Sequence, residues 1–110
     1  MESQNIIELL YSTIKSRKET PSDNSYTCYL FEQGLNKILK KVGEECAEVI
    51  IASKEGNTES IINETSDLIY HLCVLLASLD IEFSDVLIEL EKRTKKLGNL
   101  KTMRVTDKNT

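Results

Sequence analysis

The sequence predicts an all-α fold, a bundle of four to five helices that dimerises around a four-helix core. Three observations carry this prediction. One proline and four glycines in 110 residues leave few points at which a helix must stop. Apolar residues recur at three- and four-residue spacing through most of the chain, the pattern of amphipathic helices. The stretch from Glu59 to Leu79 is apolar over most of its circumference and needs cover on nearly all sides. In so short a chain, that argues for a central position and for a second copy.

The elements follow in order. Residues 2–18 read as an amphipathic helix with Ile6, Ile7, Leu10 and Ile14 on one face. Residues 19–25 contain Pro21, Ser22, Asp23 and Asn24 and read as a loop. A long helix starts at about Tyr29 or Leu35 and runs to Lys54, with the stripe Leu35, Ile38, Leu39, Val42, Cys46, Val49 and Ile50. Gly56-Asn57 stops it, and Thr58 is placed to cap the next helix, which runs from Glu59 to about Leu79. A turn at Asp80–Phe83 follows, with Ser84 as cap and Phe83 positioned to staple against Ile88. The last helix covers about 84–96, with Val86, Leu87 and Leu90 apolar, and ends at Gly98. The division is then one domain over 1–97 and a polar, frayed C-terminal tail over 98–110.

Composition narrows the function classes. Apolar residues make up 40% and charged residues 29%, the balance of a soluble globular protein. The net charge of −4 argues against general attraction to nucleic acid or an anionic membrane. An anionic substrate would need a local basic patch or a metal ion. Three cysteines, Cys28, Cys46 and Cys73, are widely spaced and odd in number, which indicates neither a disulfide framework nor a zinc site. Cys46 and Cys73 lie in apolar helical stretches and read as small buried hydrophobes. The first residues lack the basic and apolar regions of a signal peptide. The apolar run Leu68–Leu79 is too short to span a bilayer and contains His71. A cytoplasmic, reducing location is expected.

Two acidic pairs carry the chemistry: Glu45-x-x-Glu48 and Glu64-x-x-Asp67. Three-residue spacing puts both members of a pair on one helix face, about 5–6 Å apart. A charged, solvated face is the ordinary reading of the first pair. Against it, Lys41 and Glu45 stand in the less favourable i,i+4 order, and Glu44 and Glu48 form a like-charge pair. The second pair edges a helix that is otherwise nearly all apolar, where a carboxylate is costly unless paired. The short connection at Gly56-Asn57 makes the two helices antiparallel neighbours, and the two pairs then come level. Each close like-charge contact costs roughly 4 kcal/mol at 4 Å and an effective dielectric near 20. Such a nest persists only if protons or a cation neutralise it.

All-oxygen ligation suits Mg²⁺ or Mn²⁺, and a di-iron bundle would need Glu-x-x-His pairs where this chain has one histidine. Mg²⁺ held by carboxylates completes its shell with water and substrate phosphates. Lys37, Lys40 and Lys41, one to two turns upstream, supply the positive charge that phosphates want. The expectation is metal-assisted attack of water on a phosphoanhydride. His71 and Tyr70 read first as core or interface residues, with a hydrogen bond or proton relay from His71 toward the acidic site as the other reading.

The acidic signature resembles that of the all-α, MazG-type nucleotide pyrophosphohydrolases. Finer detail is similar to the phosphoribosyl-ATP pyrophosphohydrolases of histidine biosynthesis: Ser25-Tyr26-Thr27, Gly34, Lys41-Val42-Gly43-Glu44-Glu45-x-x-Glu48-Val49 and Asp67-Leu68-x-Tyr70-His71-Leu72-x-Val74-Leu75-Leu76. The likeness covers about residues 5–95. It implies hydrolysis of the α–β phosphoanhydride of phosphoribosyl-ATP to phosphoribosyl-AMP and pyrophosphate, the second step of that pathway. It implies Mg²⁺ on Glu45, Glu48, Glu64 and Asp67, with Glu44 and Glu45 as catalytic candidates. Glu44 either activates the attacking water or binds a second metal. Lys41, with Lys37 and Lys40, is expected on phosphate, and Ser25 and Thr27 in a substrate loop. A homodimer is implied as well. Two alternatives stand beside this reading: a house-cleaning pyrophosphatase acting on aberrant nucleotides, and a non-enzymatic helical dimerisation module.

Overall fold

The computed structural model describes residues 3–99, which form five helices: α1 (Ser3–Glu19), α2 (Tyr26–Gln33), α3 (Leu35–Glu55), α4 (Thr58–Ser78) and α5 (Phe83–Asn99). There is no strand among the described residues. The C-terminal tail expected from the sequence falls, beyond residue 99, outside the described residues.

The long helix begins at Leu35, the later of the two expected starts, and Tyr26–Gln33 forms a separate short helix before it. Gly34 takes φ +94° and ψ 179°, a backbone region that only glycine enters without strain, so it ends α2 and starts α3 in one step. Its N–H donates to the Leu30 carbonyl and its carbonyl accepts from Ile38. Gly56, left-handed at φ +78°, closes α3 by donating to the Ala52 and Ser53 carbonyls. The cap of α4 is Asn57 rather than Thr58: the Asn57 side-chain oxygen accepts from the Ser60 N–H at 3.0 Å, and Thr58 is already helical. After α4, Asp80 takes φ +58° and the Ile81 N–H reaches back to the Leu76 carbonyl at 2.9 Å.

The start of α5 also differs from the sequence expectation. It begins at Phe83, so Ser84 lies inside the helix, and Phe83 packs edge-on against Tyr11 with ring centres 6.3 Å apart. Ile88, the expected staple partner, is exposed. The helix continues through Gly98 to Asn99.

The core lies where α1, α2, α3 and α4 meet: Tyr11, Ile14, Leu30, Ile38, Cys73, Val74 and Ala77. On α1, Tyr11 takes the central place; Ile14 joins it, whereas Ile6 is half exposed. The Tyr11 hydroxyl donates to the Ile81 carbonyl, and Lys18 bonds Asp80 at 2.8 Å and the Ala77 carbonyl at 3.0 Å, so α1 is tied to the turn after α4. Cys73 is buried as expected, and burial pushes its thiol up to about 11. Cys46 is exposed, against expectation.

The most extensive packing is the α3–α4 hairpin. The face that α3 buries runs through Ile38, Glu45 and Ala52, one residue every seven. Of the apolar stripe read from the sequence, Ile38 is buried and Val42 and Val49 are half-buried, whereas Leu35, Leu39, Cys46 and Ile50 are exposed. The core-facing stripe of α3 therefore has a carboxylate at its centre. No described helix is long and apolar enough to cross a membrane.

Candidate active site

Glu45 sits at the seven-residue step between Ile38 and Ala52, so the packing that buries those two residues buries it as well. Only 6% of it is exposed, and its Oε2 is shut off from solvent with no hydrogen-bond partner. Buried polar atoms are nearly always paired, so an orphaned carboxylate oxygen calls for a missing partner. One turn on, Glu48 points the same way, and the hairpin brings Glu64 of α4 against both. One carboxylate oxygen from each of Glu45, Glu48 and Glu64 lies within 4.8 Å of the others. Among the described residues this is the one place where three such donors converge.

Electrostatics in the cluster are adverse. Burial pushes the Glu45 carboxyl above its ordinary range, contact with Glu48 and the charges of Glu48 and Asp67 push the same way, and Lys41 opposes them. Glu64 is also raised, first by partial desolvation and then by Glu48, Asp67 and Glu45. Asp67, the fourth expected ligand, lies outside the group of three, although its charge reaches both Glu45 and Glu64.

The donor set fits a hard divalent cation. It is all oxygen, it carries excess negative charge, and one of its oxygens is buried without a partner. At bond lengths of about 2.1 Å, oxygens on an octahedral ion stand about 3–4 Å apart. Oxygens that lie within 4.8 Å of one another are close to that spacing.

The flanking groups take up distinct places. Lys41 Nζ lies 3.1 Å from Glu44 Oε1 and 3.8 Å from Glu45 Oε1, with the lysine side chain one-quarter exposed. Its pKa is raised, chiefly by the Glu44 contact, with Tyr26, Glu44 and Glu45 adding their charges. Glu44 is lowered by the same contact, with Lys41, Lys40 and Lys37 adding charge, and it stays outside the carboxylate cluster. Lys37 Nζ lies 6.0 Å from the centre of the Tyr29 ring. The Ser25 hydroxyl is occupied as the cap of α2, accepting from the Cys28 N–H at 3.1 Å. Thr27 Oγ1 is hydrogen-bonded to the Tyr70 hydroxyl.

Two side chains outside the sequence-derived site residues join this region. His71 is buried and held at both ring nitrogens: Nδ1 is 2.7 Å from the Asp67 carbonyl oxygen, and Nε2 is 3.3 Å from the Tyr26 hydroxyl. Periodicity alone gave no signal for that pairing, because Tyr26 comes from a separate short helix.

The fold and site define an all-α protein whose helical hairpin gathers three carboxylates around an orphaned oxygen, with a lysine at the rim of the cluster. Comparison with known proteins sharpens that class. Residues 7–94 match the family model for phosphoribosyl-ATP pyrophosphohydrolase. A phosphoribosyl-ATP pyrophosphatase from Listeria welshimeri is 56% identical over 98 residues, 89% of this chain and 94% of the relative. Those from Clostridium acetobutylicum and Clostridium novyi are 52% and 50% identical over 104 residues, 94% of each chain. The chain belongs to the phosphoribosyl-ATP pyrophosphohydrolase family and is a hydrolase. A helical module without chemistry, one alternative raised by the sequence, does not fit that membership.

Proposed function

We infer that this chain hydrolyses the α–β phosphoanhydride of phosphoribosyl-ATP, releasing pyrophosphate and phosphoribosyl-AMP, the second step of histidine biosynthesis. The observation that carries the reading is the buried, unpartnered Oε2 of Glu45 within a cluster of three carboxylates, in a chain of this family. Glu45, Glu48 and Glu64 are the ligands of Mg²⁺, or of Mn²⁺ in its place, and Asp67 completes the set by a side-chain rotation on α4. The ion, when bound, supplies Lewis-acid polarisation of the phosphoryl oxygens and a bound water of lowered pKa.

The chain's own residues do the rest. Lys41 holds its charge at the rim of the cluster, where an incoming phosphate exchanges for Glu44 as its partner. Glu44, kept ionised by that lysine, is then free to accept the proton of the attacking water or to bind a second ion. Lys37 and Lys40 extend the positive field along α3. Ser25 and Thr27 shape the entrance through the start of α2, each hydroxyl being held within the protein.

A homodimer accounts for the exposed apolar residues Leu35, Leu39 and Ile50 on α3 and Ile62 on α4. Three free thiols suit the reducing cytoplasm as its location. The test is pyrophosphate release from phosphoribosyl-ATP measured beside a panel of ordinary and damaged nucleoside triphosphates, with Mg²⁺ and with EDTA. The reading requires phosphoribosyl-ATP to be turned over at least tenfold more efficiently than any other nucleotide, and only with metal. Preference for a damaged triphosphate would assign a house-cleaning role instead.

A further inference from the structure

We propose that Tyr26 is a positioning residue of this site, acting through His71 to fix the turn of α4 that presents Asp67 to the carboxylate cluster. The proposal rests on the reading of that cluster as a cation site and adds a residue to it.

The hairpin register places the contact. Glu48 meets Glu64, and Glu45 faces the charge of Asp67. One step further from the Gly56 turn in the same antiparallel register, Lys41 comes level with His71. One step beyond that, Ile38 comes level with Val74, and both of these are fully buried. The Lys41–His71 level is therefore the boundary between dry core and acidic cluster. A third member closes this boundary, the Tyr26 hydroxyl from α2.

The direction of each hydrogen bond follows from the chemistry of the atoms. The Asp67 carbonyl only accepts, so Nδ1 of His71 carries the proton it donates there at 2.7 Å. In the neutral ring Nε2 is then bare, and the Tyr26 O–H donates to it at 3.3 Å. With both nitrogens engaged and 5% of the residue exposed, the imidazole has no freedom to turn. The imidazole thereby adds a side-chain hydrogen bond to the Asp67 carbonyl, one turn back on the same helix. This is the way an outer partner orients a ligand that it does not itself replace.

Of the three residues Ser25, Tyr26 and Thr27, the outer two spend their hydroxyls on the α2 cap and on Tyr70, and only Tyr26 reaches across to His71. The Tyr26 ring is independently supported, lying stacked with Tyr29 at 6.1 Å and Tyr70 at 6.3 Å between ring centres. Removing the hydroxyl therefore leaves the packing in place.

The experiment is a double-mutant cycle read by Mn²⁺ alone, through the loss of the free-ion electron paramagnetic resonance signal, and in parallel by kcat and KM for phosphoribosyl-ATP. Tyr26→Phe is expected to keep the unfolding temperature and to weaken Mn²⁺ binding about three- to tenfold. Its kcat/KM should fall by a similar factor. In a His71→Phe background, or in His71→Asn if the former folds poorly, Tyr26→Phe should have no further effect on Mn²⁺ affinity. Unchanged Mn²⁺ affinity in Tyr26→Phe, or full additivity with the His71 variant, overturns the proposal while leaving the cation site standing. Absence of Mn²⁺ binding by the unaltered protein removes the cation site and the proposal together.

Discussion

Replacing Glu45 with glutamine should make the protein more stable without metal and less stable with it. Glu45 is 6% exposed, and its Oε2 has no hydrogen-bond partner. Leaving such an acceptor buried and unpaired costs about 1–3 kcal/mol, and a buried charge costs more. Glutamine keeps the shape, removes the charge and offers an N–H₂ that can donate to Glu48. What is lost is the 3.8 Å contact with Lys41, a partly exposed pair worth less than about 1 kcal/mol. The net gain for the metal-free protein is about 1 kcal/mol at neutral pH, or about 4–8 °C in Tm for a domain of this size.

The sign with pH follows from the raised carboxyl of Glu45. Below its ordinary value of 4.5 the group is protonated in both folded and unfolded chains and costs nothing. As pH rises from there through the higher folded value, the unfolded chain ionises first and stability drains away. The advantage of Glu45→Gln should therefore be absent at low pH and grow toward neutrality. Saturating Mg²⁺ reverses the order, because an ion at a hundred times its Kd stabilises the unaltered protein by about 2.7 kcal/mol and the variant by little. Differential scanning calorimetry in EDTA and in Mg²⁺ should show the two melting curves change places. A variant that melts lower in EDTA, or that gains as much from Mg²⁺ as the parent, would refute the reasoning.

Glu64→Gln should lower Mg²⁺-dependent pyrophosphate release by more than a hundredfold while leaving the helical circular dichroism intact, since even outer partners of metal ligands account for about 10–100-fold. Lys41→Met should raise KM by about tenfold or more through loss of a charge-assisted phosphate contact. It should also return the Glu44 carboxyl toward 4.5, so that ¹³C NMR finds it titrating at a higher pH than in the parent. Gly34→Ala should destabilise the fold by about 1–3 kcal/mol in denaturant titration, from backbone strain at φ +94°, because a Cβ there meets nothing within 4 Å. Leu30→Ala, at a fully buried position, should cost about 2–5 kcal/mol in the same assay.

The helices were legible because their apolar period is strong, and the α3–α4 hairpin because Gly56 and Asn57 can do little but stop one helix and start another. The break at Gly34 was legible only as one of two possible starts for the long helix, and its backbone decides for Leu35. The capping role expected of Thr58 falls one residue earlier, on Asn57, and Ser84 lies inside a helix that already starts at Phe83. Asn57 and Thr58 are both good caps, and only the backbone decides between them. The face of α3 that packs inward was legible only in part. Counting apolar residues gives the stripe Leu35, Ile38, Leu39, Val42, Cys46, Val49 and Ile50, of which Leu35, Leu39, Cys46 and Ile50 are exposed, whereas the chain buries Glu45 and Ala52 together with Ile38. A carboxylate at a core position breaks the hydrophobic rule that sequence reading depends on, and sites of function are where such breaks are expected.

The acidic cluster itself was legible, since three-residue spacing on two antiparallel helices leaves little choice of placement. Three of its four members converge, and Asp67 stands apart from them. Tyr26 was legible only as the residue between Ser25 and Thr27 in the expected substrate loop, not as a partner of His71. Its link to His71 spans 45 positions and depends on how α2 folds back over the hairpin, which no local pattern records.

The central claim is that Glu45, Glu48 and Glu64 surround a divalent cation, and diffraction tests it directly. A crystal grown with Mn²⁺, measured on the manganese absorption edge, should show one anomalous peak at bonding distance from an oxygen of each of the three, with Asp67 turned toward it. A peak elsewhere on the protein, or none between α3 and α4, would contradict the account.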